Sequence, residues 1–251
     1  MELAKGARAR AEEARSLNLF NPWLTISRAP SMKAVVFDLD GTLVHFDIDL
    51  GALKRELLMA LSRVGVPPSL FSTEDTLTDL LDKVEAYVKA SGMGCGAMRK
   101  LWDEAFKVIE RFEEAAINSA SLMPGALEVL SALKRKGLRI GLFTLNSSAV
   151  AVNVLKRLGI SKFFDVMVAR DLVDDVKPNP NHLSRVFEEL GVEPREAVVV
   201  GDMPFDIKCA KKLGAVAVGV TTGRSREEEL KKAGADYVIR SLSELLSIIA
   251  G

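Results

Sequence analysis

Cysteine is scarce in this sequence of 251 residues: only Cys95 and Cys209 are present, and they lie far apart. A pair at that separation has neither the spacing of a metal site nor that of a redox motif. We therefore expect a protein that works in a reducing, cytoplasmic setting, where disulfides are rare.

The chain also lacks a net charge and a long hydrophobic run. Lys and Arg total 34 and Asp and Glu total 34, so no net field attracts nucleic acid or an anionic membrane. No uninterrupted apolar run approaches the roughly 18 residues that cross a bilayer. The hydrophobic fraction of 48% and the charged fraction of 27% are those of an ordinary globular protein. We expect no nucleic-acid partner and no membrane partner.

Residues 1–31 differ from the rest of the chain. Their first half is rich in Ala, Arg and Glu and predicts a solvated helix, and their second half predicts a linker. The charges exclude the apolar segment of a signal peptide, and Glu12 and Glu13 argue against a transit peptide. Two interpretations stay open. Either Met32 is the true start, or the extension is a real helix that packs on a neighbouring subunit, so we expect a monomer or a homodimer.

The hydrophobic pattern changes twice after residue 32. Residues 48–120 have helical spacing, for example at Leu53, Leu57 and Leu61, with breaks at Pro67 and in the glycine-rich segment 92–96. From Pro124 onward, short apolar runs alternate with helical patterns that end in glycine. Strands are predicted at residues 33–37, 139–143, 164–168, 197–200, 216–220 and 237–239.

Strands that alternate with helices are typical of parallel βαβ units. The predicted fold class is therefore α/β, with a doubly wound, parallel-sheet, Rossmann-like core and a small all-helical domain inserted in it. We expect residues 32–47 and 121–251 to form the core and residues 48–120 to form the insertion. We expect residues 1–31 to form an N-terminal helical extension and linker.

Two aspartates follow the first predicted strand directly. Asp38 and Asp40 are separated by one residue, and Gly41 and Thr42 then turn the chain. Ligands of open α/β sheets bind just outside the carboxyl ends of strands, and residues two apart on an extended chain project to the same side. Two close carboxylates suit a Mg²⁺ ion, or a nucleophile beside an acid/base. The plainer alternative is an acidic turn that ends the strand.

Polar side chains also follow later segments of the same kind. Thr144 follows the second predicted strand, Lys177 lies between Val176 and Pro178, and Asp202 and Asp206 follow an apolar strand and a glycine. Taken singly, each has a simpler interpretation. Thr144 or Asp202 is then a helix cap, and the Lys-Pro sequence a surface loop.

Together these segments resemble the four motifs of the haloacid dehalogenase-like phosphohydrolases, in the same order. The matching patterns are Asp-x-Asp-Gly-Thr at residues 38–42, Thr144, Lys-Pro-x-Pro at residues 177–180 and Gly-Asp-x-x-x-Asp at residues 201–206. The resemblance runs from about residue 33 to the C-terminus. It is strongest to the phosphoglycolate phosphatase-like branch, whose cap domain is a helical insertion after the first motif.

The resemblance implies roles for the acidic residues. Asp38 is expected to be the nucleophile and Asp40 the general acid/base. A Mg²⁺ ion is expected on Asp38, Asp202 and the backbone carbonyl of Asp40. Asp206 is expected outside the metal ligands, where it acts through water or orients Lys177.

The resemblance also implies a phosphate-binding group made of Thr144, Lys177 and Asn146. One departure from the family pattern concerns the last of these. The usual Asn directly follows the Ser or Thr, whereas Leu145 intervenes here, so the role of Asn146 stays open.

The implied function is a Mg²⁺-dependent phosphatase that hydrolyses small phosphate monoesters through an aspartyl-phosphate intermediate, with a small phosphorylated metabolite as substrate. A pyrophosphatase, a phosphomutase and a non-catalytic, partner-binding relative stay open as alternatives. Two further features, one near the hinge and one in the insertion, keep two interpretations each. His45 is a substrate contact or a hinge and packing residue, and residues 92–96 are a substrate-contacting loop or a surface connection.

Overall fold

A computed structural model describes residues 32–250 except residues 73, 74 and 76. The strands, in chain order, are β1 (Ala34–Phe37), β2 (Val44–His45), β3 (Ser121–Leu122), β4 (Arg139–Thr144), β5 (Val166–Ala169), β6 (Ala197–Gly201), β7 (Val216–Val220) and β8 (Tyr237–Ile239). The α-helices are α1 (Leu50–Arg63), α2 (Leu77–Ser91), α3 (Cys95–Ala116), α4 (Ala126–Arg135), α5 (Ser148–Arg157), α6 (Asn181–Leu190), α7 (Pro204–Leu213), α8 (Glu227–Lys232) and α9 (Leu245–Ala250). Short 3-10 helices lie at Pro68–Leu70, Ser161–Phe163, Arg170–Leu172, Pro194–Glu196 and Leu242–Glu244.

Six of these strands form one parallel sheet in the order β5-β4-β1-β6-β7-β8. Strand order reverses beside β1, which lies between β4 and β6. Phe37, near the end of β1, pairs with Leu142 on one side and Val200 on the other. The carboxyl ends of these three strands therefore lie level with one another, at the point where an open α/β sheet forms its ligand crevice.

Helices cover both faces of the sheet, which is why its strands are apolar without alternation. Val35 and Phe37 belong to a buried cluster that includes side chains of α4, α5 and α9. Val36 faces the opposite way, into a second cluster that includes side chains of α6, α7 and α8. The first strand is thus completely buried, and its packing fixes the position of Asp38, which follows Phe37.

The insertion lies between β2 and β3 and consists of α1, α2 and α3. It has a hydrophobic cluster of its own, and α1 packs against α3. Its buried members are Leu57, Leu61, Val66, Leu80, Val84, Val88, Leu101 and Ala105. Strands β2 and β3 pair antiparallel where the insertion leaves and rejoins the core. The sequence did not predict this small ribbon, because two residues are too short for a periodic pattern.

The predicted fold class, a doubly wound α/β core with an inserted helical domain, is confirmed. The proposed division at residues 47/48 and 120/121 stays a prediction, and residues 1–31 lie outside the described part of the chain. Among the helices given above, not one combines the length and the apolar character that a membrane crossing requires.

Gly141 tests how closely helix α6 packs on strand β4. A Cβ at this position would lie 2.6 Å from Val186 Cγ1 and 3.1 Å from Leu190 Cδ1. We expect Gly141→Ala to lower the free energy of unfolding by about 1–3 kcal/mol, the usual cost of overpacking a core. Urea denaturation measures this change.

Gly96→Ala is the matched control, because a Cβ there meets nothing within 4 Å. Gly96 lies in helix α3, so this variant should be as stable as the wild type or more stable by up to about 1 kcal/mol. A Gly141→Ala protein with wild-type stability would contradict the close helix–strand contact.

Candidate active site

The polar residues singled out in the sequence meet at the level carboxyl ends of β1, β4 and β6. Asp38 directly follows β1, and its N–H donates to the carbonyl oxygen of Val200 in β6 at 2.9 Å. Thr144 is the last residue of β4, and Asp202 directly follows β6. Each side chain is therefore carried by the end of a buried strand, which restricts where its functional group lies.

Lys177 joins two of the aspartates. Its Nζ donates to Asp38 Oδ1 at 2.6 Å and to Asp206 Oδ1 at 2.8 Å, and the Lys side chain is 0% exposed. Nζ also lies 3.7 Å from the centre of the Phe143 ring. Burial lowers the pKa of Lys177, but the Asp206 and Asp38 carboxylates outweigh this effect and raise it. The ammonium group therefore stays charged, and the Lys-Pro segment is not a plain surface loop.

Three carboxylates form a compact cluster. Asp38, Asp202 and Asp206 each offer an oxygen, and these oxygens all lie within 4.8 Å of one another. Asp202 Oδ1 is buried and has no hydrogen-bond partner among the described residues. Burial raises the pKa of Asp202, and the Asp38 and Asp206 carboxylates add to this rise. A buried group of like charges with an unsatisfied oxygen is an arrangement that a cation would stabilise.

The helix-cap interpretation of Asp202 does not hold. The cap residue of α7 is Met203, and it is Asp206 that accepts a hydrogen bond from the Met203 N–H, at 3.1 Å. Asp202 Oδ2 instead accepts from the backbone N–H of Arg224 at 2.8 Å. Asp202 is therefore held by a loop on another strand rather than by its own helix.

Asp40 lies beside the cluster but is bound differently. Its Oδ2 accepts from the Arg224 guanidinium at 2.6 Å. Burial raises the pKa of Asp40, with Arg224 opposing and Asp38 adding to the rise. Thr42, from the same turn, donates to Asp38 Oδ2 at 3.2 Å. The first segment thus carries two carboxylates whose partners differ.

Gly41 and Gly223 allow two loops to approach the Asp202 carboxylate. A Cβ at Gly41 would lie 2.5 Å from Asp202 Oδ2, and one at Gly223 would lie 2.0 Å from it. The sequence reasoning missed Gly223 and Arg224. The signal was available, because both lie just after β7 (Val216–Val220), as Asp38 lies just after β1 and Asp202 just after β6.

Thr144 and Asn146 interact directly despite the intervening Leu145. The Thr144 hydroxyl donates to Asn146 Oδ1 at 2.7 Å, and the Asn146 N–H donates to Thr144 Oγ1 at 3.1 Å. The cap of the following helix is Ser147, whose side chain accepts from the Val150 N–H. Thr144 is therefore not needed as a helix cap, and its hydroxyl lies with the Asn146 amide at the end of β4.

A buried ion pair links the insertion to this strand end. Arg170 Nη1 lies 3.3 Å from Glu113 Oε2 of helix α3 and donates to the Leu145 carbonyl oxygen at 2.5 Å. The Asn146 side chain also hydrogen bonds to Glu113. Burial raises the pKa of Glu113 to about 7, against the opposing effect of Arg170. No sequence pattern indicated this pair, because its members are far apart in the chain.

Two features were left open in the sequence, His45 and residues 92–96. His45 is exposed on strand β2, close enough that a positive charge on its ring lowers the pKa of Asp40. Gly94 is the N-cap of helix α3, so residues 92–94 connect α2 to α3, and residues 95 and 96 are the first two of α3. Whether either feature contacts a substrate stays a prediction.

With this geometry in view, comparisons with known proteins identify the family. Residues 35–220 match the family model of the haloacid dehalogenase-like hydrolases. The chain belongs to this family. It is 34% identical over 242 residues to a phosphoglycolate phosphatase of Shigella sonnei, covering 88% of this chain and 94% of that protein.

Solved structures of haloacid dehalogenase-like proteins have the same fold. A phosphatase of this type from Thermococcus onnurineus is 28% identical, with a TM-score of 0.59 over 88% of this chain and 99% of that one. A family hydrolase from Streptococcus pneumoniae is 22% identical, with a TM-score of 0.62 over 87% of this chain and 98% of that one. The predicted family and its phosphoglycolate phosphatase-like branch are confirmed, and the enzyme is a hydrolase of phosphoric monoesters.

The pKa of Glu113 predicts a pH-dependent part of the stability. Because the folded value, about 7, exceeds the ordinary value of 4.5, the folded protein keeps a proton that the unfolded chain releases. This contribution is fully present below about pH 4.5 and is lost as the pH rises through 7. Glu113→Gln removes this dependence. The free energy of unfolding of the variant, relative to that of the wild type, should therefore be roughly 2–3 kcal/mol higher at pH 8 than at pH 5.

Urea denaturation at both pH values measures this difference. Glu114→Gln is the control, since Glu114 is the exposed neighbour on the same helix. Its difference in unfolding free energy from the wild type should be the same at both pH values. If the difference between Glu113→Gln and the wild type were also the same at both pH values, the raised pKa of Glu113 would be wrong.

Proposed function

We propose that this enzyme is a Mg²⁺-dependent phosphatase that hydrolyses small phosphate monoesters through an aspartyl-phosphate on Asp38. The observation that carries the proposal is the contact of Lys177 Nζ with Asp38 Oδ1 at 2.6 Å, inside a buried site. A carboxylate nucleophile must approach a phosphate dianion, and the two repel each other. A fixed positive charge beside the nucleophile reduces this repulsion before the reaction begins.

Asp38 is held in a defined position for attack. Lys177 donates to one of its oxygens and Thr42 donates to the other, so the carboxylate is restrained from two sides. In the first step an oxygen of Asp38 bonds to phosphorus, and the bond between phosphorus and the ester oxygen breaks. The product is the aspartyl-phosphate and an alkoxide that needs a proton.

Asp40 supplies and later removes that proton. Burial raises its pKa, which favours the protonated form that a general acid needs. Asp40 gives its proton to the departing alkoxide. It then takes a proton from the water that attacks phosphorus of the aspartyl-phosphate. Inorganic phosphate leaves, and Asp38 is restored as a carboxylate.

Thr144, Asn146 and Lys177 form the proposed phosphate-binding group. The Thr144 hydroxyl and the Asn146 amide are already ordered by their mutual hydrogen bonds. Groups that are held in place before the substrate arrives lose little freedom on binding, and they stabilise the charge that develops on the phosphoryl oxygens. Asp206 Oδ1 accepts a second hydrogen bond from Lys177 Nζ, at 2.8 Å, and so helps to hold the ammonium group beside Asp38.

Mg²⁺ is the proposed cofactor, bound by Asp38, Asp202 and the backbone carbonyl of Asp40. The unsatisfied oxygen of Asp202 and the all-oxygen donor set fit a hard divalent cation. When bound, the ion supplies positive charge that neutralises the phosphate and the carboxylates.

The relatives support a small substrate. Relatives matched over most of this chain include phosphoglycolate phosphatases, and phosphoglycolate is a small ester with a carboxylate in its leaving group. A pyrophosphatase or a phosphomutase would share the aspartyl-phosphate step and differ in what accepts the phosphoryl group. A non-catalytic relative would have no use for the lysine-bridged carboxylates.

Asp38→Asn tests the nucleophile. The amide is a poor nucleophile, so phosphate release from small esters in the presence of Mg²⁺ should fall by at least about a thousandfold. Asp174→Asn makes the same chemical change at an exposed position and should keep wild-type activity. A colorimetric phosphate assay measures both, and circular dichroism checks that each variant is folded.

Normal turnover in a folded Asp38→Asn protein would overturn the mechanism. Wild-type protein that releases phosphate only from pyrophosphate, or only transfers it to a second sugar phosphate, would favour the pyrophosphatase or the mutase. Wild-type protein with none of these activities would favour the non-catalytic relative.

Asp202→Asn tests the metal site through stability rather than activity. Mg²⁺ at a hundredfold excess over its Kd should raise the wild-type unfolding temperature by about 5–10 °C, and EDTA should reverse the shift. Asp202→Asn should lose this shift, because a carboxylate ligand is gone. Its stability without Mg²⁺ should equal or exceed that of wild type, since one buried like charge is removed.

The Asp174→Asn protein again serves as the control and should keep the full shift. A Mg²⁺ shift of wild-type size in Asp202→Asn would remove Asp202 from the proposed ligands.

A further inference from the structure

Three Lys or Arg side chains have been placed at this site, and two of them are almost completely buried. Lys177 is 0% exposed and bound to Asp38 and Asp206. Arg170 is 5% exposed. Its Nη1 contacts Glu113 and the Leu145 carbonyl oxygen, and its Nη2, which has no hydrogen-bond partner among the described residues, lies 3.4 Å from Glu110 Oε2. Arg224 differs from both, because its side chain is 37% exposed.

The backbone of Arg224 is held close to the reacting groups. Its N–H donates to Asp202 Oδ2 at 2.8 Å, and Gly223 lets the loop approach the same oxygen. The Arg side chain therefore begins at a point fixed by one aspartate and reaches a second, Asp40, at 2.6 Å. Because hydrogen bonds hold both the backbone and the side chain of Arg224, its guanidinium has less freedom than that of an unrestrained surface Arg.

The guanidinium has binding capacity that Asp40 does not use. Arg presents five N–H donors in a planar fork, suited to two acceptors at once. Among the described residues, Asp40 is the one hydrogen-bond acceptor of its side chain. The remaining donors lie next to the group that protonates the leaving oxygen, and part of the side chain is open to solvent.

We propose that Arg224 binds a carboxylate of the leaving group and thereby selects esters that carry a carboxylate on the carbon next to the ester oxygen. This inference rests on the proposed function. A general acid works at hydrogen-bond distance from the leaving oxygen, about 2.6–3.2 Å. A carboxylate one carbon away from that oxygen then lies within reach of the Arg224 fork, on the side of Asp40.

The competing interpretation gives Arg224 a positioning role only. In that case the guanidinium orients Asp40 and does not touch the substrate, and its loss affects every ester alike. The two interpretations therefore differ in how the effect of a substitution depends on the leaving group.

Two esters with two-carbon leaving groups distinguish substrate binding by Arg224 from a positioning role. Phosphoglycolate has a carboxylate in its leaving group, and ethyl phosphate has a methyl group in the same place. We would measure kcat and KM for both esters with wild type, Arg224→Met and Arg224→Lys. Arg226→Met is the matched control, since it removes the same charge from an exposed position of the same loop.

Arg224→Met should lower the ratio of kcat/KM for phosphoglycolate to that for ethyl phosphate by about tenfold to a hundredfold, the range of a charge-assisted hydrogen bond. Most of this loss should appear as a higher KM for phosphoglycolate. Arg224→Lys should restore part of the ratio, because Lys keeps the charge and loses the fork. Arg226→Met should leave the ratio unchanged.

Equal losses on both esters in Arg224→Met would overturn the inference in favour of positioning, and unchanged kinetics would overturn it outright. Wild-type protein that prefers ethyl phosphate would also contradict it, while leaving the proposed phosphatase intact. Wild-type protein that hydrolyses neither ester would contradict the proposed function and this inference together.

Discussion

The buried contact of Lys177 with Asp38 and Asp206 is the interaction on which the rest of the site depends. Three carboxylates lie within a few ångströms of one another, and one ammonium group with no solvent exposure lies between two of them. Removing a charge from a buried pair leaves the other without compensation, which typically costs about 3–5 kcal/mol. The lysine therefore holds together a cluster that would otherwise repel itself, and it does so beside the proposed nucleophile.

The architecture of the sheet makes this cluster possible. Strands β1, β4 and β6 end at one level, so residues that follow them meet although they are far apart in the chain. Strand β7 adds a fourth loop, which contacts both Asp202 and Asp40 through Arg224. Because the strands are buried on both faces, their ends have little freedom, and the acidic groups are kept close against their mutual repulsion. Asp202 Oδ1 has no hydrogen-bond partner among the described residues, so its charge is the least compensated of the cluster.

The inserted helices reach the same place from the other side. Glu113 of α3 contacts Arg170 and Asn146, and Asn146 contacts Thr144. One continuous set of hydrogen bonds therefore runs from the insertion to the end of β4, where the phosphate-binding group is proposed. These contacts connect the position of α3 to that of Thr144, so they link the insertion physically to the proposed phosphate-binding group.

The α/β core, the helical insertion and the segments around Asp38, Thr144, Lys177 and Asp202 could be predicted from local patterns. Asp38, Thr144 and Asp202 each stand at the end of a buried apolar strand, Lys177 lies in a Lys-Pro-x-Pro pattern, and the insertion has helical spacing. The short ribbon β2–β3, the contacts of Arg224 and the Glu113–Arg170 pair were decided only by the tertiary structure. A two-residue strand has no period to detect, and an ion pair between distant segments has no spacing in the sequence. Local pattern specifies which residues end a strand, whereas the packing of helices on the sheet decides which distant side chains those residues meet.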